Sequence, residues 1–174
     1  GVSTKVIAHA LHENRKDHHS EISKVRRQDP FKLYSVEAEK EYADKTEKTL
    51  KEFDNEVTMV VSKAIQTTYK DNICGRYEEI PSICPDFIYI DGPSPYSYIR
   101  DNNEYFNISH PDVTNITCDL LLLEPFLLPG TFVVFDGMTN NSRFNRRMLN
   151  RSWKGHEDVE NDYTIMVLDE ETLG

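Results

Sequence analysis

Apolar positions along the chain switch between a helical spacing and a spacing of two, and each switch predicts a change of element. Ser3 and Thr4 can cap a helix whose Val6, Ile7, Ala10 and Leu11 fall on one face. Residues 11–28 are polar and of mixed charge, with His12, His18 and His19 among them, which predicts an exposed helix end running into a loop. Residues 32–36 alternate and end against Glu37, after which Tyr42, Ala43, Thr46, Leu50 and Phe53 mark a second amphipathic helix. Residues 57–61 are β-branched and predict a buried strand, residues 65–77 a helix, and residues 86–92 the clearest strand of the chain, ending in Asp91 and Gly92.

Residues 92–111 are rich in Pro, Ser, Asn and Tyr and longer than the usual connection, which makes them a candidate lid or binding loop. Asp112 can cap a helix over 113–123. A turn at 127–130 leads into an apolar strand over 131–137 that delivers Asp136 ahead of Gly137. Residues 143–153 predict a helix with Phe144, Met148 and Leu149 inward, and residues 163–168 a final strand. Helices alternating with strands predict an α/β fold on a mainly parallel sheet covered on both faces.

A length of 174 residues is that of one domain, so 1–174 is read as a single domain. Lys and Arg number 20 against 30 Asp and Glu, and the resulting charge of −10 argues against nucleic acid as the partner. The longest apolar run, 120–123, is far below the ~20 residues of a membrane span, so no membrane partner is expected. Cys74, Cys84 and Cys118 are too few and too scattered for a disulfide framework or a zinc site, which predicts a reduced, cytoplasmic setting. In that setting the Asn-x-Ser/Thr triplets at Asn107, Asn115, Asn140 and Asn150 carry no glycosylation signal.

Ligands of open α/β sheets bind beyond the carboxyl ends of the strands, which puts Glu37, Ser62, Asp91 and Asp136 on one rim. An acid at a strand end, downstream of a glycine turn that opens a helix, suits the two ribose hydroxyls of an adenosine cofactor. Glu37 stands roughly 35 residues beyond that turn, where ~20 is usual, and the polar insert around His18 and His19 accounts for the excess. Glu37 equally suits the start of a solvated helix.

These residues resemble the class I S-adenosylmethionine-dependent methyltransferases, nearest the small-molecule and sugar O-methyltransferase branch. Gly1, Val2, Ser3 and Thr4 are similar to the end of the family's glycine-rich first motif, and Val36, Glu37 and Ala38 to its ribose-binding acid. Ser62, Lys63 and Ala64 resemble the turn beside the adenine, residues 86–92 the fourth strand, and residues 128–137 the fifth. The resemblance implies a Rossmann-like, doubly wound sheet with an antiparallel last strand at 163–168. It also implies a first strand before Gly1, so the chain is expected to be N-terminally incomplete, with open sheet edges. Lys63 stands where many relatives carry an aspartate.

The resemblance further implies methyl transfer from S-adenosylmethionine to a hydroxyl of a small acceptor, such as a sugar or nucleotide sugar. Asp91 and Asp136 are the catalytic candidates, with Gly1, Val2, Ser3, Glu37, Ala38, Ser62, Lys63, Ala64 and Asp91 at the cofactor. Metal-dependent relatives hold a divalent cation at the same strand ends, so Asp91, Asp136 and Asn140 are candidate Mg²⁺ ligands; Gly137 occupies the usual third position, for which Asn140 or Asn141 could substitute. Arg143, Arg147, Arg151 and Lys154 would line one helical face, either as an ordinary solvated surface or as a basic rim for an acidic acceptor. Tyr96, Tyr98, Tyr105 and Phe106 would either stack on the acceptor or pin the long loop. His9, His12, His18 and His19 meet no zinc spacing and read as a solvated insert. Two other classes stay open: a nicotinamide-dependent oxidoreductase on a similar sheet, and a non-catalytic binding or assembly protein of the same fold.

Overall fold

The computed structural model describes residues 1–24, 29–53, 56–99 and 106–171. They form two compact units, the first of Gly1–Lys63 with Glu79–Pro81 and the second of Ala64–Glu78 with Ser82–Gly174.

In the first unit, helix α1 (Val2–His18) continues as a 3-10 helix, His19–Lys24. Strand β1 (Leu33–Glu37), helix α2 (Lys40–Thr49), a 3-10 turn (Lys51–Phe53) and strand β2 (Val57–Val61) follow. The strands pair in parallel from Leu33↔Val57 to Glu37↔Val61, as a strand–helix–strand crossover requires. Ala8, Leu50 and Phe53 form the core, with Leu33, Val57 and Met59 against them. One polar contact fastens α1: buried Glu56 accepts from Arg15 Nη1 (3.2 Å) and lies 3.1 Å from His12 Nδ1, and the edge of the His12 ring meets Phe53. His12 is thus an anchor and not part of a solvated insert; His9, His18 and His19 are exposed.

The second unit opens with a correction. Residues 65–77 are not a helix but the body of a hairpin, β3 (Ala64–Tyr69) and β4 (Asn72–Tyr77), paired antiparallel. Ile65, Tyr69 and Ile73 also fit helical spacing, but Lys70 and Asp71, at φ 45° and 64°, make the two-residue turn whose twist matches a hairpin, and Ile65, Thr67, Thr68 and Ile73 favour strands. A short strand β6 (Tyr98–Ile99) runs parallel beside β3.

The larger sheet contains β5 (Phe87–Ile90), β7 (Phe132–Asp136), β8 (Trp153–Asp158) and β9 (Tyr163–Leu168) in the order β5-β7-β9-β8. β5 and β7 are parallel; β9 is antiparallel to both of its neighbours, as the last strand was expected to be. The fold is therefore α/β with small, mixed sheets instead of one mainly parallel sheet. Helix α3 covers only Asp119–Leu123, because Gly75 N donates to Ile116 O (2.8 Å) and Cys118 N to Gly75 O (2.9 Å), drawing the preceding residues into a bridge with β4. Helix α4 (Thr139–Met148) ends before Trp153, which opens β8. Leu120, Leu127, Val133, Phe135, Met166 and Leu168 form the core on one face of the sheet; cover on both faces was expected, but β7 and β9 alternate buried and half-buried residues.

Glu124 ties these elements together. It is 2% exposed, and its carboxylate accepts from Asn150 N (2.9 Å), Arg151 N (2.8 Å), Asn150 Nδ2 (3.2 Å) and Trp153 Nε1 (3.0 Å). An acceptor-only group satisfies this ring of donors, whereas an amide would turn its NH₂ toward some of them. Glu124→Gln is expected to cost about 2–3 kcal/mol in urea unfolding, the value of charge-assisted bonds lost at constant volume.

Asp119 adds a pH dependence. Its Oδ1 accepts from Tyr77 N (3.0 Å), but burial pushes its carboxyl up to about 6; Tyr77, Tyr98, Cys74, Cys118 and Arg76 surround it, and Arg76 offers compensating charge. Because this value is raised above that of the unfolded chain, the folded state binds the proton more tightly. The stabilisation is complete below about pH 4 and is lost as pH rises through 6. Asp119→Asn is expected to remove that decline, on the order of 2 kcal/mol, from thermal melts compared between pH 4 and 7.

Candidate functional site

Within the first unit, the end of β1 and the start of α1 come together. Thr4 Oγ1 lies 3.3 Å from Ser35 Oγ, two residues before Glu37, and Gly1 N donates to Thr46 Oγ1 at 2.8 Å. Glu37 Oε1 accepts from Glu39 N (3.1 Å), which holds the carboxylate at the strand end, with Ala38 in the bend between. Ser62 N extends the ladder to Glu37 O (3.0 Å), but the Ser62 hydroxyl is buried and accepts from Glu79 N (2.8 Å), so it acts in the fold. Val2 and Lys63 are exposed, Ser3 is half-buried, and Ala64 is wholly buried as the first residue of β3. Glu37 ends β1 and Asp91 follows β5, strands of different sheets, so the one rim expected for Glu37, Ser62, Asp91 and Asp136 is not formed by a single sheet.

The second unit brings Asp91 and Asp136 to one strand-end rim. β5 and β7 pair from Phe87↔Phe132 to Ile90↔Phe135, and Asp91 and Asp136, both exposed, are the next residues of the two segments beyond the last pair. Adjacent strands lie about 4.8 Å apart, so two carboxylates share this rim. The Tyr89 hydroxyl donates to Asp136 Oδ2. Residues 89 and 91 alternate onto the same face, so the period of the strand was the available signal for this partner, which the sequence reading omitted.

Beyond Asp136 the chain turns through Gly137 at φ +62°, a conformation that suits glycine. Gly137 N donates to Asp162 O (2.8 Å) and Thr139 Oγ1 to Asp162 Oδ1 (2.6 Å), which fixes the entry into α4. Asn140 is exposed and donates to Thr114 Oγ1 (3.1 Å). Asn141 is fully buried and spent: its Oδ1 accepts from Thr117 N (2.8 Å) and Asn145 Nδ2 (2.9 Å), and its Nδ2 donates to Thr117 Oγ1 (3.0 Å). It is a clamp between α4 and the Thr117 bridge, not a spare ligand. Among the described residues no group of three or more His, Cys, Asp or Glu side chains is placed to hold a metal ion.

The basic stripe is corrected. Arg151 and Lys154 lie beyond the end of α4 and so share no helical face with Arg143 and Arg147. Arg143 pairs with Glu157, Arg151 with Glu170 and Lys154 with Asp169; Arg143 holds the Glu157 carboxyl below the usual range. In the long loop, Tyr98 is buried, its hydroxyl donates to Asn115 Oδ1, and its ring lies over Gly75, where a Cβ would meet it at 2.0 Å. Tyr98 therefore pins the loop. Tyr96 and Phe106 are exposed, and Tyr105 lies outside the described residues.

No family model, curated protein or solved structure matches the chain.

The Asn141 clamp has a measurable cost. Asn141→Ala leaves Thr117 N–H without its partner in a dry site, while Asn145 Nδ2 keeps Thr117 O and Asn141 O, and is expected to destabilise the chain by about 2–3 kcal/mol in denaturant titrations. Asn140→Ala, on the exposed side of the same helix, is expected to change stability by less than about 0.5 kcal/mol.

Proposed function

We propose that the chain is methyltransferase-like and takes part in methyl transfer from S-adenosylmethionine to a hydroxyl of a small molecule, such as a sugar. The observation that carries the reading is the rim of β5 and β7, where two carboxylates end adjacent parallel strands. The reversed β9 beside β7 and the acid at the end of parallel β1 support it, in keeping with the motif resemblance. A Rossmann-like, doubly wound arrangement belongs to the same proposal.

The residues fit the cofactor in donor chemistry. Glu37, held by Glu39 N, offers a carboxylate at a strand end that can accept from two vicinal ribose hydroxyls. For a divalent cation the fit is poorer: Asp91 and Asp136 supply oxygens, Asn141 is committed elsewhere, and Asn140 would leave Mg²⁺ dependent on water for the rest of its octahedron.

S-adenosylmethionine, when bound, supplies a methyl group made electrophilic by its sulfonium. The chain's own residues position the acceptor and handle its proton. With Oδ2 engaged by Tyr89, Asp136 presents Oδ1 to the acceptor hydroxyl and takes its proton as the oxygen attacks. Asp91, one strand away, orients the acceptor through a second hydrogen bond.

Calorimetric titration with S-adenosylhomocysteine tests the reading. Binding is expected, and Glu37→Ala is expected to weaken it by about 1–3 kcal/mol, the cost of leaving the ribose hydroxyls unpaired. Absence of binding would favour the non-catalytic alternative, and affinity unchanged by Glu37→Ala would remove Glu37 from the site.

A further inference from the structure

Among the described residues, one face of the four-stranded sheet is buried and the other is half-buried. Val133, Phe135, Met166 and Leu168 enter the core beneath α3 and α4. The strand period and the pairing registers place Phe87, Phe132, Val134, Ile165 and Val167 together on the opposite face. Phe87 is 43% exposed and stacks on Phe132 with ring centroids 5.9 Å apart; the other four are only half-buried. At the carboxyl end of β5 and β7, on the same face, the row carries Asp91, Asp136, Tyr163 and, on β8, Asp158; further along β8 the same face carries His156 and Lys154, the latter paired with Asp169. Asp158 is held by Asn161 N (3.0 Å) and Nδ2 (2.9 Å).

We infer that this face is the docking surface of a partner polypeptide that lays a cationic amphipathic helix along β7 and β9. Its apolar side covers Phe132 with the Phe87 ring stacked on it, Val134, Ile165 and Val167, and its lysines or arginines meet the row of Asp91, Asp136 and Asp158. Two arguments select this occupant. Four strands spaced about 4.8 Å apart give a platform wide enough for a helix about 10 Å across. Charge complementarity sets the sign: the acidic row, on a chain of net charge −10, repels anionic lipid and a second copy of itself and attracts a basic segment. The inference does not rest on the methyl-transfer reading, since docking needs neither cofactor nor acceptor; a docked helix engages Asp91 and Asp136 and so competes with an acceptor for them.

The test uses the full chain and a labelled 18-residue peptide of Leu and Lys at helical spacing, read by fluorescence anisotropy. Its Leu and Glu counterpart and phosphatidylcholine vesicles are the comparisons. The Lys peptide is expected to bind at least tenfold tighter than the Glu peptide, and Val134→Lys and Ile165→Lys are each expected to weaken it at least tenfold. Phe87→Lys, at a position already exposed, repeats the test where the fold accommodates a lysine, with circular dichroism checking that it is native. No binding, equal binding of the two peptides, binding undiminished in the folded variants, or a preference for the vesicles would each overturn the proposal.

Discussion

The parallel pairing of β5 with β7, in the register that sets Ile90 against Phe135, is the constraint from which both the core and the rim follow. A strand has a period of two, so one register decides every side chain at once. Val133 and Phe135 go into the core with Met166 and Leu168, and Asp91 and Asp136 are delivered side by side at the strand ends. A slip of one residue would bury the carboxylates' face and expose Phe135. Tyr89 belongs to the same set, and its hydroxyl reaches Asp136 because the register brings the two onto one face.

Buried polar groups then fix what the apolar core leaves loose. Glu124 gathers the start of β8 against α3 through backbone and indole donors, and Asn141 joins α4 to the Thr117 bridge. In the first unit Glu56 does the same for α1, through His12 and Arg15. Glu124 and Asn141 accept in sites that exclude water, so each discriminates one packing from its neighbours more sharply than a methyl group would.

The elements legible in the sequence were those whose pattern is local. β5, β7 and β9 announce themselves as β-branched and aromatic runs and β1 by spacing; α1 was expected as a helix, but of the face predicted for it Val6 and Ala10 are exposed, and Ala8 is the residue it buries. β8 was not legible, since Trp153–Asp158 is an edge strand of mainly polar residues that borrows its conformation from β9. The β3–β4 hairpin was misread because Lys70 and Asp71 lack the glycine that usually signals such a turn. For the site the division is the same. Asp91 and Asp136 are strand ends and were found; the roles of Tyr89, Glu124 and Asn141 depend on partners 24 to 47 residues away in sequence and could not be.

The account of function rests on the two rim carboxylates being neighbours. Residues that extend a parallel register lie within the separation a disulfide spans, about 4.4–6.8 Å between Cα atoms. Asp91→Cys and Asp136→Cys introduced together should therefore cross-link under mild oxidation, and peptide mapping by mass spectrometry should find the 91–136 linkage in high yield. A folded double variant that gives no such linkage would mean that the β5–β7 register does not hold at the rim, and the shared carboxylate site would fall with it.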